Sequence, residues 1–236
     1  MANKFQFKQF AVDQQQCAMR INTDGVLLGA SAASDKVAMG SMLDIGTGTG
    51  VIALMLAQRF EQATVVAVEI DALAAETAKQ NLENSPFKDR LELIHSDIFH
   101  WNPVVKFDLI VSNPPFYINS LHNPDPRKKV AKHTDEVFFK GLLEFAALHL
   151  SEKGLFELIL PSELTQLMIE EATKLSLFLR RNMAIQSFDD SEFIRNILRF
   201  ERIPGQLESE VFTIYQERGV YSDAYKKLLK PFFLAF

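Results

Sequence analysis

Met42-Leu43-Asp44-Ile45-Gly46-Thr47-Gly48-Thr49-Gly50 runs from an apolar strand pattern into a glycine turn, and Val51 to Arg59 continues as a helix pattern. Such a strand–turn–helix opens an α/β sheet whose ligands sit outside the carboxyl ends of the strands. Glycines there admit positive φ and let the backbone approach a ligand closely. The spacing is G-x-G-x-G, unlike the G-x-G-x-x-G of dinucleotide binders, and an acid stands two residues before the first glycine. A pyrophosphate would welcome neither feature. A carboxylate at Asp44 instead suits an ammonium group, met directly or through water. Asp44, Gly46, Thr47, Gly48 and Gly50 are therefore candidate binding residues. The bland rival is a turn that serves only tight strand–helix packing.

Outward from this turn, short apolar runs alternate with helical patterns, which argues for βαβ units and a parallel sheet. Thr64 to Glu69 reads as a second strand, followed by an Ala-rich helix from about Ala72 to Glu83. Leu91 to His95 and Phe107 to Ser112 give a third and a fourth. Gly154 to Leu160 gives a fifth, between helices near Val137 to Leu150 and Glu163 to Leu175. Met183 to Phe188, Ile197 to Ile203 and Val211 to Gln216 are strand-like and form the closing, partly antiparallel edge. The expected fold is α/β and Rossmann-like: a seven-stranded, mostly parallel sheet with helices on both faces and an antiparallel C-terminal edge. Residues 1–40, with Phe5, Phe7 and Phe10, are expected to cap the sheet's carboxyl edge and contribute to the cofactor site. Residues 41–236 are then the catalytic domain.

Two further strand ends complete a ligand description. Glu69, followed by Ile70, ends the second strand, where a carboxylate accepts both hydroxyls of a ribose. Asp97, followed by Ile98, comes just after the third, a natural place to read an adenine edge. Adenosine plus an amino-acid group describes S-adenosylmethionine. The rival is that Glu69 and Asp97 are solvated strand ends.

Composition sets the bounds. The 236 residues are 47% hydrophobic and 23% charged, enough for a core and unlike a disordered chain. One Cys excludes an internal disulfide framework and a Cys-based zinc site, and five His residues show no H-E-x-x-H spacing. No metal is expected. There is neither a signal-like start nor an apolar run of roughly 18 residues, so the expectation is a cytoplasmic protein without a membrane partner. A net charge of −5 disfavours indiscriminate coating of nucleic acid but leaves room for a local basic patch.

Asn113-Pro114-Pro115-Phe116 directly follows the fourth strand and carries the chemistry. In a planar exocyclic amine the nitrogen lone pair is delocalised, so the nucleophile is poor. Two acceptors aimed at its hydrogens, the Asn113 side-chain oxygen and the Pro114 carbonyl, orient the lone pair and stabilise the positive charge that develops. No strong base is required, because the proton becomes acidic only after methyl transfer. The prolines stiffen the loop and withhold N–H donors. Phe116 is placed to stack on a flat target. The rival is a plain strand-ending turn.

Together, Asp44-x-Gly-x-Gly-x-Gly, Glu69, Asp97 and Asn113-Pro-Pro-Phe resemble the class I S-adenosylmethionine-dependent N-methyltransferases. The opening Phe5-x-Phe7-Lys8-Gln9-Phe10 and the block Met19-Arg20-Ile21-x-Thr23-Asp24-Gly25-Val26-Leu27-Leu28-Gly29 narrow the match. They resemble the bacterial tRNA(Val) adenine N6-methyltransferases, which modify adenosine 37, the purine just 3′ of the anticodon. The end of the chain, Tyr225 to Phe236, is also similar. Arg20 and Ile21 depart mildly from that family's usual Lys and Val. The resemblance implies that Thr23, Asp24 and Gly25 lie near the methionine end of the cofactor and that Asn113 to Phe116 hold the adenine. Thr23 or Asp24 would also serve as an N-cap of a helix starting near Val26.

Arg127-Lys128-Lys129, with Lys132 and His133, is the densest basic cluster and falls in a polar stretch, Tyr117 to His133, that reads as a long loop. Beside the target pocket it would hold tRNA phosphates; the alternative is a solvated loop. No obligate protein partner is evident. Glutamine N5 methylation of a protein and guanine N2 methylation of ribosomal RNA use the same acceptor geometry. Protein glutamine enzymes more often place Tyr after the two prolines and carry a separate N-terminal helical domain. A non-catalytic cofactor-binding module would not need the Asn-Pro-Pro acceptors.

Overall fold

The computed structural model describes residues 4–17, 19–115 and 126–236, and of 126–135 the backbone alone. The chain opens with a small hairpin, β1 (Lys4–Gln6) and β2 (Ala11–Asp13), followed by helix α1 (Thr23–Ser31). There follow β3 (Ser41–Ile45), α2 (Val51–Arg59), β4 (Thr64–Glu69), α3 (Ala72–Glu83), β5 (Leu91–His95) and β6 (Phe107–Ser112). Then come α4 (Pro126–His149), β7 (Leu150–Pro161), α5 (Thr165–Lys174), β8 (Phe178–Gln186), β9 (Phe193–Glu201) and β10 (Glu208–Thr213). A second hairpin, β11 (Tyr215–Glu217) and β12 (Val220–Tyr221), and helix α6 (Asp223–Leu229) close the chain.

The main sheet has eight strands in the order β10-β8-β9-β7-β6-β3-β4-β5. From β5 to β7 every pairing is parallel; β9 runs antiparallel to both β7 and β8, and β10 is parallel to β8. Strand order therefore reverses between β3 and β6, the crevice where open α/β sheets bind ligands. Alternation along β3 shows why both faces are covered: Met42 joins one apolar cluster while Leu43 and Ile45 join the other.

The sheet holds one strand more than the expected seven, because all eight strand-like segments of the sequence contribute to it. The strand-like Val211 to Gln216 segment divides: its first residues lie in β10, while Tyr215 begins the separate β11–β12 hairpin. β10 is an edge strand with exposed Glu208 to Val211, so it lacks the continuous apolar run that marks the buried strands. The fifth strand also starts earlier than expected. Gly154 lies inside β7, where an added side chain would begin 2.7 Å from the Phe107 carbonyl oxygen.

The loop expected over Tyr117 to His133 is corrected in its second half. Residues 126–133 belong to α4, so Arg127, Lys128, Lys129 and Lys132 lie on its first turns. Pro126 pre-sets φ at the first helical position, and Lys, Arg and Ala are good helix formers. Polarity alone had suggested a loop. Residues 116–125, including Phe116, lie outside the described residues.

The aromatic opening does not sit on the carboxyl edge as expected. Phe7 stacks on Phe10 at 4.5 Å, Phe10 meets Phe87 just beyond the end of α3, and Phe7 bridges to Phe233 in the C-terminal segment. Lys8 Nζ donates to the carbonyls of Lys230 and Phe236. It is the following stretch that climbs along α3: Asp13 is held by Asn81, and the Gln15 carbonyl accepts from Thr77 Oγ1.

Helix α1 packs closely on α2, where a side chain at Gly29 would begin 2.9 Å from Met55 Sδ. Its C-terminal end is held by a buried ionic cluster. Glu157, fully buried in β7, accepts from the Ala33 amide at 2.7 Å and from Arg199 Nε at 2.9 Å. Arg181 reaches the Ser31 carbonyl and pairs with Glu210, while Arg199 also pairs with Asp35 at 2.7 Å.

Candidate functional site

Three strand ends and one helix start converge at the sheet's reversal point. The glycine turn is pinned to β4, since the Gly46 and Thr47 amides both donate to the Val68 carbonyl, at 2.9 and 3.1 Å. Gly46, Gly48 and Gly50 take φ of +70°, +56° and +82°, which L side chains rarely adopt. At Gly46 and Gly48 an added side chain would meet nothing within 4 Å, so the turn borders open space. At Gly50 it would press on Leu82 at 3.2 Å. That glycine serves packing, and the first two frame a cradle.

Asp44 points beneath this turn toward the start of α2. It is fully buried; Oδ2 accepts from Thr47 Oγ1 at 2.6 Å and from the Ala53 amide at 3.2 Å. Oδ1 has no hydrogen-bond partner. Burial pushes the Asp44 carboxyl up to about 7, and nearby Glu69 adds to the rise against the two hydrogen bonds. A buried carboxylate with one orphaned oxygen is costly, and a cationic ligand group is what would relieve it. The open space at Gly46 and Gly48 and the orphaned carboxyl oxygen are the two features that would suit the amino-acid end of S-adenosylmethionine.

Glu69, 8% exposed, is fixed at the end of β4. Its Oε2 accepts from the Gly48 amide at 2.8 Å, and Oε1 from the Ile70 and Asp71 amides, each at 2.9 Å. The carboxylate is thus rigid and tied to the cradle, with its remaining lone pairs available to hydroxyl donors. Ile70 is exposed beside it. Asp97 folds back on its own turn: Oδ1 accepts from the Phe99 amide at 2.9 Å and Oδ2 lies 3.1 Å from His100 Nδ1. Ile98 is buried.

Across the reversal, Ser112 Oγ donates to the Ile45 carbonyl at 3.0 Å and locks the end of β6 to the end of β3. Asn113 follows, half-buried, then buried Pro114 and exposed Pro115. Among the described residues none holds the Asn113 amide by a hydrogen bond. Its Nδ2 lies 3.5 Å from where a side chain on Gly25 would begin. The first turn of α1 is therefore brought against the Asn-Pro-Pro segment.

At that turn the expected cap is corrected. Asn22, not Thr23 or Asp24, caps α1: its Oδ1 accepts from the Gly25 amide at 2.9 Å, and the helix begins at Thr23. The Asp24 carboxylate pairs instead with Arg195 Nε at 2.9 Å. Sequence reasoning missed Arg195, which has no motif around it, and Asn81. Asn81 Nδ2 donates to the Thr49 carbonyl and the Asp13 carbonyl, sewing the N-terminal segment to the glycine turn. An Asn within an Ala-rich helix was the one available signal. Cys17, half-buried near Thr77, has its thiol pushed up by burial. No helix among the described residues is long and apolar enough to cross a membrane.

Known proteins resemble this chain in sequence and in fold. The methyltransferase small domain family matches residues 26–174. A tRNA1(Val) (adenine(37)-N6)-methyltransferase of Pedobacter heparinus is 51% identical over 100% of both chains. A protein of the same name from Phocaeicola vulgatus is 42% identical over 98% of this chain and 97% of its own. Among solved structures, a predicted O-methyltransferase from Agrobacterium tumefaciens superposes with a TM-score of 0.69 at 20% identity, covering 89% of this chain and 96% of that one. The glycopeptide N-methyltransferase MtfA, complexed with S-adenosylmethionine, gives 0.56 at 14% identity over 77% and 99%. At such identities the two structures speak for the fold alone.

Proposed function

We infer the function from one premise: the chain belongs to the tRNA1(Val) (adenine(37)-N6)-methyltransferase family. It is an S-adenosylmethionine-dependent enzyme that places a methyl group on the exocyclic N6 of adenine 37 in that tRNA. When bound, the cofactor supplies a methyl group made electrophilic by its sulfonium.

The chain's own residues divide the remaining work. Gly46, Thr47, Gly48 and Gly50 shape the cradle, and Asp44 neutralises the ammonium group. Glu69 with Ile70 takes the ribose, and Asp97 with Ile98 the adenine edge. Thr23, Asp24 and Gly25 border the cradle from α1. Asn113 Oδ1 and the Pro114 carbonyl accept from the target N6 hydrogens, so the nitrogen lone pair faces the methyl group and its growing positive charge is stabilised. Phe116 stacks on the extruded base. Arg127, Lys128, Lys129 and Lys132, on the first turns of α4, hold phosphates of the tRNA. Residues 1–40 act as a cap that contributes to the cofactor site, on the 41–236 catalytic domain.

The observation that carries the site reading is the join at the β3–β6 reversal, where Ser112, just before Asn113, is bonded to Ile45, just before the glycine turn. The direct test is transfer of labelled methyl from S-adenosylmethionine to unmodified tRNA1(Val), with nucleosides identified by mass spectrometry. N6-methyladenosine at position 37 is expected. Label confined to guanine, or to protein glutamine, would overturn the substrate assignment.

A further inference from the structure

We propose that Arg195 is a positioning residue for the acceptor site, acting through Asp24 to hold the first turn of α1 against Asn113. The proposal rests on the methyltransferase reading above and adds a residue to its machinery.

Ser112 on β6 is level with Leu158 on β7, and Leu158 is level with Leu198 on β9. Arg195 pairs with Pro161, three residues farther along the same edge. β7 and β9 thus rise past Asn113 and form a wall on its outer side. Ile197, two residues on from Arg195, belongs to the apolar cluster that contains α1 and α2, so Arg195 projects from the face that α1 covers. Its Nε meets Asp24 Oδ2 at 2.9 Å, spanning from this wall to the helix.

What the pair holds is next to the reacting groups. Asp24 precedes Gly25, on which a side chain would begin 3.5 Å from Asn113 Nδ2, so the first turn lies in contact range of that amide. The far end of α1 is already anchored by Glu157 and Arg181. The middle of α1 packs on α2 at Gly29 and Met55, which leaves the first turn, beside Asn113, as the part whose position depends most on its own contacts. The Asp24–Arg195 contact fixes the second end. Both partners are partly exposed, with side-chain exposures of 22% and 32%, so the pair adds little to global stability. Its contribution is geometric: small displacements of an acceptor cost rate more than they cost fold.

The test compares Arg195→Ala, Arg195→Lys, Asp24→Asn and the double variant Asp24→Asn/Arg195→Ala, with S-adenosylmethionine and unmodified tRNA1(Val). Arg195→Ala should lower kcat roughly tenfold, leave S-adenosylhomocysteine affinity and the melting temperature unchanged, and leave KM for tRNA within about twofold. Asp24→Asn, at a residue that also borders the cofactor cradle, should lower kcat at least as much. The double variant should be no slower than Asp24→Asn alone, since Arg195 acts through Asp24, and Arg195→Lys should recover part of the rate. A loss of cofactor affinity in Arg195→Ala would assign the pair to the cofactor and overturn the proposal. A raised KM with unchanged kcat would assign Arg195 to RNA. Additive losses, or a collapse of the melting temperature in all variants including Arg195→Lys, would equally overturn the proposal. If wild-type protein itself transfers no methyl group to tRNA, the function is wrong; if it does and the variants match it, only this inference is.

Discussion

Thr47 Oγ1 donates to Asp44 Oδ2 at 2.6 Å, while Oδ1 of the same buried carboxyl has no partner. Burial raises this carboxyl from 3.8 to about 7. A carboxyl whose folded pKa is raised holds its proton more tightly in the native state. Its contribution to stability is fully present below the usual value and is lost as pH rises through about 7. The ligand's ammonium group, by contrast, favours the ionised form. Asp44→Asn should therefore melt higher than wild type at pH 8 without cofactor, yet bind S-adenosylhomocysteine more weakly. Wild-type affinity should strengthen between pH 6 and pH 8, and the variant's should not. Parallel pH curves for the two proteins would remove Asp44 from the ammonium site.

Gly48 and Gly219 offer a matched comparison. Both take positive φ, +56° and +81°, and both border open space. Alanine at either should cost about 1–2 kcal/mol of backbone strain. Only at Gly48, whose amide also binds Glu69, does the new methyl group enter the cradle. Calorimetric titration with S-adenosylhomocysteine should show at least a tenfold loss for Gly48→Ala and none for Gly219→Ala. Equal affinities would mean the cradle is only a packing turn.

This contrast shows what could be read from the sequence. The placement of Asp44, the glycines, Glu69 and Asn113 at strand ends is legible because short continuous apolar runs mark the buried strands β3, β4 and β6 that precede or contain them. The basic residues of α4 were placed in a loop because polarity masks a helix when its apolar face begins only later, at Phe139 and Leu142. Arg195 and Asn81 were not legible. Their partners are 171 and 68 residues away in sequence, and no local pattern encodes a contact across that distance.

The fold's anchor under α1 should be sensitive to one atom pair. Glu157→Ala removes the acceptor of both Arg199 Nε and the Ala33 amide and leaves a buried guanidinium with Asp35 alone. Breaking such a buried pair costs about 3–5 kcal/mol. Glu157→Gln keeps an acceptor oxygen and should lose clearly less. Urea denaturation distinguishes them, and an alanine variant within about 1 kcal/mol of wild type would show that the cluster contributes no net stability.

At the reacting end, Asn113→Ala removes one of the two acceptors without touching the cradle, because no described residue depends on that amide. Cofactor affinity should be unchanged while single-turnover methyl transfer falls by roughly two orders of magnitude or more, the scale of losing one preorganised polar contact to the transition state. Unchanged turnover would show that the acceptor argument is wrong.

The basic turns of α4 make a prediction of a different kind, because phosphate contacts are read through salt rather than chemistry. Each cation that neutralises a phosphate releases a counterion, so log K falls with log salt by about 0.7–0.9 per contact. Lys128→Gln and Lys129→Gln should each flatten that slope for tRNA1(Val) by about this amount and weaken binding to any RNA similarly. They should leave kcat at saturating tRNA intact, since neither belongs to the strand ends that hold the cofactor and the target base. A slope identical to wild type for both variants, and for Arg127→Gln and Lys132→Gln, would return this stretch to a solvated helix face. The tRNA backbone would then have to be held elsewhere on a chain whose net charge is −5.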